Sequence, residues 1–284
     1  MARPADSDAL QPPDCTDDLP RLRHVLHERY SVPSVDFHSW VLGRLPWRGD
    51  EWVLDVGAGS GLYVEPLRAC APHARLVALD REAAFLQRNP AAPALAVADA
   101  LELPFATGRF DLVMANQLLA HVPDVDAALI EMKRVLRPGG LLMTAANSAN
   151  SMPEFNALFR RAVLLLAHPG TAQPPMYATN SLYTLESGLR RLSRRFYAVV
   201  RYDLPQLLVF DEVEPALAYF ATWRALRESS LPTEVAWEDV MLLMREQISR
   251  VVKTTGELVV NKVSGVLLAS DLPGLVAPSG RQPQ

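Results

Sequence analysis

Cysteine is scarce: Cys15 and Cys70 are the two in 284 residues, and they offer neither a disulfide framework nor metal-ligand spacing. No apolar run approaches the roughly 18 residues of a membrane-spanning helix, and the first residues lack the basic and apolar stretches of a secretion signal. An excess of positive charge is missing too. The 28 Lys and Arg stand against 32 Asp and Glu, a net charge of -4, which argues against a nucleic-acid grip built on phosphate neutralisation. A local basic cluster, Arg190, Arg191, Arg194 and Arg195, is explained by a solvated helix face. Repeats and low-complexity tracts are absent. The expectation is a cytoplasmic globular protein with no nucleic-acid and no membrane partner, for which a homodimer is admissible.

What is present begins with Val53-Leu54-Asp55-Val56-Gly57-Ala58-Gly59-Ser60-Gly61, an apolar run ending in an acid and followed by three glycines spaced two apart. The run reads as a buried strand, and the glycines let the backbone turn tightly and approach a ligand where a Cβ would collide. Leu62 to Arg68 then reads as the opening of a helix with free N–H groups toward that ligand. The dinucleotide fingerprint G-x-G-x-x-G would need glycine at 62, where the chain has Leu62, so a nicotinamide oxidoreductase is disfavoured.

Alternating strands and helices follow. Arg75 to Asp80 reads as a second strand ending in an acid, which suits the two hydroxyls of a ribose or a cap on the helix beginning near Glu82; both readings stay open. Leu95 to Asp99 is a third apolar run ending in an acid. Phe110 to Asn116 is a fourth strand, with Asp111 read as structural and Asn116 and Gln117 at the carboxyl end, where open α/β sheets bind ligands. Asp124 to Arg137 has helical periodicity behind a capping acid, and Pro138-Gly139-Gly140 is expected to end that helix before a fifth strand, Leu141 to Ala146.

Taken together, residues 51 to 147 resemble the class I S-adenosylmethionine-dependent methyltransferases of small-molecule type. The resemblance implies an α/β, Rossmann-like fold: a seven-stranded, mostly parallel sheet with one antiparallel strand and an inserted helical cover. It implies S-adenosyl-L-methionine as cofactor, held by Asp55, Gly57, Ala58, Gly59 and Gly61 at the first turn and by Asp80 and Arg81 at the second. Asp99 would accept from the adenine amino group, the N–H of Ala100 or Leu101 would donate to a ring nitrogen, and the methionine part would lie near Asn116 and Gln117. Tyr30, on an N-terminal helix laid over the cofactor, is a further candidate, as are His27 and Trp40 for cofactor or substrate; helix packing is the alternative for Trp40 and Tyr30. The Asn-Pro-Pro-Tyr type of sequence used on DNA adenine is absent, since Gln117 and Leu118 follow Asn116. Asn147 and Asp124 make no magnesium site.

The remaining chain is read as a single domain, 19–272, with N-terminal helices in 19–50 and helical insertions at 151–182 and 211–256, flanked by disordered tails at 1–18 and 273–284. Leu185 to Phe196 is the expected last main helix, Tyr197 to Tyr202 the sixth strand and Val259 to Leu268 the seventh. The insertions are expected to roof the substrate pocket, with Met152, Phe155, Met176, Tyr177, Tyr219, Trp223 and Met244 as candidate walls, although an apolar stripe is more often plain core.

The sulfonium of the cofactor is already an electrophile, so the protein has mainly to hold a nucleophile in line and exclude water; positioning of that kind supplies about 7–11 kcal/mol. His121, just past the fourth strand, suits a general base for a hydroxyl or ammonium nucleophile and equally suits a role in holding the loop. The expected function is methyl transfer to an O or N nucleophile of a small molecule of the secondary-metabolite kind. A quinone-type C-methyltransferase and a non-catalytic cofactor-binding subunit are the alternatives.

Overall fold

The computed structural model describes residues 19–88, 92–171 and 183–273. The expected tails, apart from residue 273, and the pocket candidates Met176 and Tyr177 lie outside the described residues. In chain order the elements are α1 (Leu19–Tyr30), β1 (Ser31–Val32), α2 (Phe37–Leu42), β2 (Trp52–Val56), α3 (Val64–Cys70), β3 (Arg75–Asp80), α4 (Ala83–Gln87), β4 (Leu95–Val97), β5 (Phe110–Met114), α5 (Val125–Val135), β6 (Leu136–Asn147), α6 (Pro153–Leu166), α7 (Leu185–Ser193), β7 (Ala198–Phe210), α8 (Val213–Ala221), α9 (Arg224–Arg227), α10 (Trp237–Thr255) and β8 (Leu258–Ser270). Among the described residues no helix is long and apolar enough to cross a membrane.

The strands hydrogen-bond in the order β1-β7-β8-β6-β5-β2-β3-β4. β2, β3, β4, β5 and β6 pair in parallel, and β8 runs antiparallel to β6. The sheet therefore has the expected mixed α/β topology but eight strands instead of seven. The extra one is the two-residue β1, which pairs antiparallel with Leu207 and Leu208 because β7 continues well past Tyr202, where the sequence pattern ends it.

The chain divides into two compact units. Of the described residues the larger comprises 35–88, 92–153, 183–206 and 261–273, which include the glycine turn and β2 to β6. Strand periodicity sorts its side chains onto two faces. Leu54, Val56, Val113 and Leu142 pack with α5, whose buried Val125, Ala128, Leu129, Met132 and Val135 recur at helical spacing behind the Asp124 cap. Val53, Leu76, Leu112, Met114, Met143 and Ala145 pack on the other face with Val41 and Leu42 of α2 and Val64 and Leu67 of α3. Each such aliphatic burial contributes about 1.5–3 kcal/mol.

Asp111 is structural, as its position suggests: its carboxylate takes Arg48 Nη2 at 2.8 Å, the Trp52 N–H at 2.8 Å and Arg137 Nη1 at 2.6 Å. Pro138-Gly139-Gly140 does not cap α5. That helix ends at Val135, and the three residues sit inside β6, where the register against β5 jumps from Phe110 opposite Leu136 to Leu112 opposite Leu141. Proline without an N–H and a glycine at φ +77 absorb that irregularity.

Of the described residues the second unit gathers 19–34, 154–171 and 207–260. The expected insertions thus form a body with its own aromatic core, whose rings include Phe155 stacked on Tyr219 at 5.9 Å and Phe220 stacked on Trp237 at 5.6 Å. Phe155, Tyr219 and Met244 are buried in it, and His27 Nε2 meets the Tyr219 hydroxyl at 3.1 Å. These residues serve as core in their own unit. Arg227 is buried there beneath Phe159 and Trp223, bonded to the Asn156 side chain.

One position tests the central packing of the larger unit. A Cβ on Gly265 would stand 2.3 Å from the Tyr202 carbonyl oxygen, a backbone atom that cannot step aside. Gly265→Ala should destabilise the protein by about 1–3 kcal/mol, read as a lowered denaturant midpoint. An unchanged midpoint would show that this stretch relaxes freely.

Candidate active site

The site is built at the carboxyl ends of β2, β3 and β5. Asp55 stands opposite Ala78 of β3 and Met114 of β5 in register, so Asp55, Asp80 and Asn116 fall on the same face of the sheet by period-two alternation. Asp80 and Asn116 lie two residues further along their strands, roughly 7 Å higher than Asp55.

The glycine turn is held to β3. Gly57 and Ala58 donate to the Leu79 carbonyl at 2.7 and 3.0 Å, and the Gly59 N–H donates to Asp80 Oδ2 at 3.0 Å. The turn adopts φ +73 at Gly57, where an added Cβ would meet the Leu118 side chain at 2.6 Å. On Gly59 a Cβ would meet nothing within 4 Å, so the backbone there has an open side a ligand can approach closely. The helix does not open at Leu62. Gly61 to Tyr63 are turns, and α3 starts at Val64, because Gly61 N–H donates back to Ala58 and the Val64 N–H to Gly61. The amides of Gly57, Ala58 and Gly59 thus bond to β3 and that of Gly61 within the turn, so the turn's contribution is close approach rather than a row of free donors.

Asp80 has dual use. Oδ2 accepts from the Gly59 N–H and Oδ1 from the Glu82 N–H, each at 3.0 Å, so this acid ties the glycine turn to the loop before α4, whose N-cap residue is Glu82. Each carboxylate oxygen has two lone pairs, which leaves capacity on both for ribose hydroxyls. Arg81 beside it is exposed, 3.8 Å from Glu82. Asp99 is also exposed, and its Oδ1 accepts the Leu101 N–H at 2.9 Å. Of the two backbone donors considered for adenine, Leu101 is therefore engaged by Asp99 itself, which points to Ala100.

Asp55 differs from the other two acids. It is 2% exposed, and burial, then the charge of Asp80, push its pKa from 3.8 up to about 7. Its Oδ2 finds no hydrogen-bond partner among the described residues, nor does Oδ1 of buried Asn116, whose amide nitrogen faces the Met143 sulfur at 3.9 Å. Gln117 follows at φ +57, a left-handed conformation uncommon for a side chain of this kind, fixed by its N–H bond to the Ala145 carbonyl at 2.8 Å. His121 ends a short 3-10 turn, Leu119–His121, with its ring exposed.

Tyr63 escapes the sequence reading. It is buried two residues past the third glycine, its hydroxyl is without a hydrogen-bond partner among the described residues, and His38 packs edge-on against its ring at 4.7 Å. Its signal in the sequence is a polar-tipped aromatic directly after a glycine turn. Tyr30, in contrast, belongs to the helical unit, where its ring lies 4.9 Å from Phe210; the larger unit brings together the other candidates.

The residues fit S-adenosylmethionine. Orphaned acceptors at Asp55 and Asn116 suit its ammonium, Asp80 its ribose and Asp99 with Ala100 its adenine, along a turn whose Gly59 leaves room. Asp55 makes this testable through pH. Its folded pKa is raised, so its contribution to stability is fully present below about pH 4 and is lost as pH rises toward 7, while its ionised form is the one that pairs an ammonium. Affinity for S-adenosylhomocysteine should rise as pH rises through about 7 while the melting temperature of the protein alone falls between about pH 4 and 7. Asp55→Asn should flatten both profiles relative to wild type. Parallel profiles for variant and wild type would show that Asp55 titrates without reference to the ligand.

Residues 54–144 match the methyltransferase domain family. Over 121 residues the chain is 35% identical to a malonyl-[acyl-carrier protein] O-methyltransferase of Laribacter hongkongensis (strain HLHK9), covering 38% of this chain and 41% of that protein. It is 35% identical over 126 residues to a demethylmenaquinone methyltransferase of Corynebacterium urealyticum (strain ATCC 43042 / DSM 7109), covering 44% and 53%. The chain thus spans about half the length of these curated relatives or less. In fold it is similar to a SAM-dependent methyltransferase of Thermotoga maritima, with a TM-score of 0.52, 14% identity, and coverage of 90% of this chain and 96% of that one. The glycine turn and the strand-end acids Asp55, Asp80 and Asp99 thus lie within the stretch that matches the methyltransferase domain family.

Proposed function

We propose that this protein transfers the methyl group of S-adenosylmethionine to an oxygen or nitrogen nucleophile of a small apolar or amphipathic molecule. The observation that carries the reading is the clustering, on one face of the sheet, of Asp55, Asp80 and Asn116 with the turn whose Gly59 bonds to Asp80. Malonyl-[acyl-carrier protein] O-methyltransferases among the relatives support an oxygen acceptor. The demethylmenaquinone methyltransferases among them support a second reading, C-methylation of a quinone-type ring.

The bound cofactor supplies a methyl group on a sulfonium, an electrophile needing no further activation. The chain's task is then binding and orientation. Asp80 holds the ribose, Asp99 and Ala100 the adenine, and Asp55 and Asn116 the ammonium, which fixes where the reacting end of the cofactor lies. Gln117, held in its strained conformation, shapes the wall beside Asn116. His121 is the side chain we put forward to take the proton, from a hydroxyl acceptor as its oxygen bonds to carbon, and from an ammonium beforehand so that the nitrogen lone pair is free to attack.

Incubation with S-adenosylmethionine and a small-metabolite extract should yield S-adenosylhomocysteine together with a product heavier by one methylene, both read by mass spectrometry. Asp80→Ala should abolish both signals. Tight cofactor binding with no S-adenosylhomocysteine formed from any extract would contradict catalysis and favour the non-catalytic binding subunit.

A further inference from the structure

Three buried polar atoms on the α2 and α3 side of the sheet remain without a hydrogen-bond partner among the described residues: Asp55 Oδ2, Asn116 Oδ1 and Tyr63 Oη. They differ in kind. The carboxylate and the amide oxygen only accept, and the phenol can donate. Two acceptors and one donor around one turn complement a group that carries an ammonium and a carboxylate together.

We propose that Tyr63 donates its phenolic hydrogen to the carboxylate of the cofactor's amino-acid end while Asp55 and Asn116 accept from the ammonium of the same end. The proposal rests on the S-adenosylmethionine reading of this site and adds to it the residue that recognises a zwitterion. Tyr63 is placed for this by two elements. It precedes the first residue of α3, and the Leu67 N–H donates to its carbonyl at 2.9 Å, which anchors its backbone. Its ring is packed by His38 of α2, whose own N–H donates to Asp36 at 3.0 Å and whose Nδ1 stands 3.5 Å from the same carboxylate.

The electrostatics select the net charge of the ligand. Burial first, and then the charges of Asp55 and Asp36, raise the phenol's pKa well above its ordinary value, so it stays a donor. Those two carboxylates also repel a lone anion beside Tyr63. A carboxylate is accepted there when an ammonium accompanies it and neutralises Asp55, which is the arrangement of an α-amino acid. Adenosine derivatives without that end gain nothing from Tyr63.

Calorimetric titration of S-adenosylhomocysteine and of 5′-methylthioadenosine, which lacks the amino-acid end, separates the contributions. Tyr63→Phe keeps the ring against His38 and removes one oxygen. It should weaken S-adenosylhomocysteine by about tenfold, the loss of one hydrogen bond to a charged group, and leave 5′-methylthioadenosine unchanged. Asp80→Ala should weaken both. Unchanged affinity of Tyr63→Phe for S-adenosylhomocysteine, or an equal loss for both ligands, would overturn the role of the phenol while leaving the cofactor reading intact. Failure of the wild-type protein to bind S-adenosylhomocysteine would overturn both.

Discussion

The bond from the Gly59 N–H to Asp80, with the two from Gly57 and Ala58 to the Leu79 carbonyl, is the constraint on which the site depends. These three bonds join the end of β2 to the end of β3. Without them a turn of three glycines would have no fixed shape, since glycine gives up more conformational freedom on ordering than any other residue. With them, Asp80 is oriented by the very loop that has to approach the cofactor. The neighbouring charge is felt at Asp55, which burial already disfavours as an anion. Beside the partly solvated and hydrogen-bonded Asp80, the buried Asp55 is thus poised for a cation.

Much of this was legible from the chain. The apolar runs ending in Asp55, Asp80 and Asp99 and the glycine spacing mark strand ends because few other arrangements of buried strands and acids satisfy backbone bonding and ligand approach together. The amphipathic stripe of α5 behind Asp124 was equally plain, since its buried residues recur at helical spacing.

What the sequence hides is tertiary. β1 exists because Leu207 and Leu208 offer an edge to pair with, a fact no local pattern in Ser31 and Val32 carries. Pro138-Gly139-Gly140 has the composition of a helix stop yet accommodates a shift in strand register, because glycine at positive φ serves either purpose. The start of α3 moves from Leu62 to Val64 because the third glycine closes a turn on Ala58. The stripe of Phe155 and its partners fits a pocket wall and a core equally well by periodicity; only the ring contacts within the helical unit tell them apart. Tyr63 is hidden for the opposite reason, since an aromatic facing a sheet reads as packing until its hydroxyl is seen buried beside Asp55.

The helical unit and the sheet unit each bury polar groups. In the former, His27 and Tyr219 satisfy one another, and Arg23 donates to the Thr222 hydroxyl and carbonyl at 2.8 and 2.7 Å. Beside the glycine turn of the latter, Asp55 Oδ2, Asn116 Oδ1 and Tyr63 Oη stay without a partner among the described residues, as Ser31 Oγ and Gln247 Oε1 do in the former; an unsatisfied buried group destabilises a fold unless a ligand compensates. Backbone amide shifts on titration with S-adenosylhomocysteine test this account most directly. It predicts the largest changes at Gly57 to Gly61, at Asp80 and Arg81, at Asp99 to Leu101 and at Asn116 and Gln117; changes confined to residues 154–171 and 207–260 would contradict it.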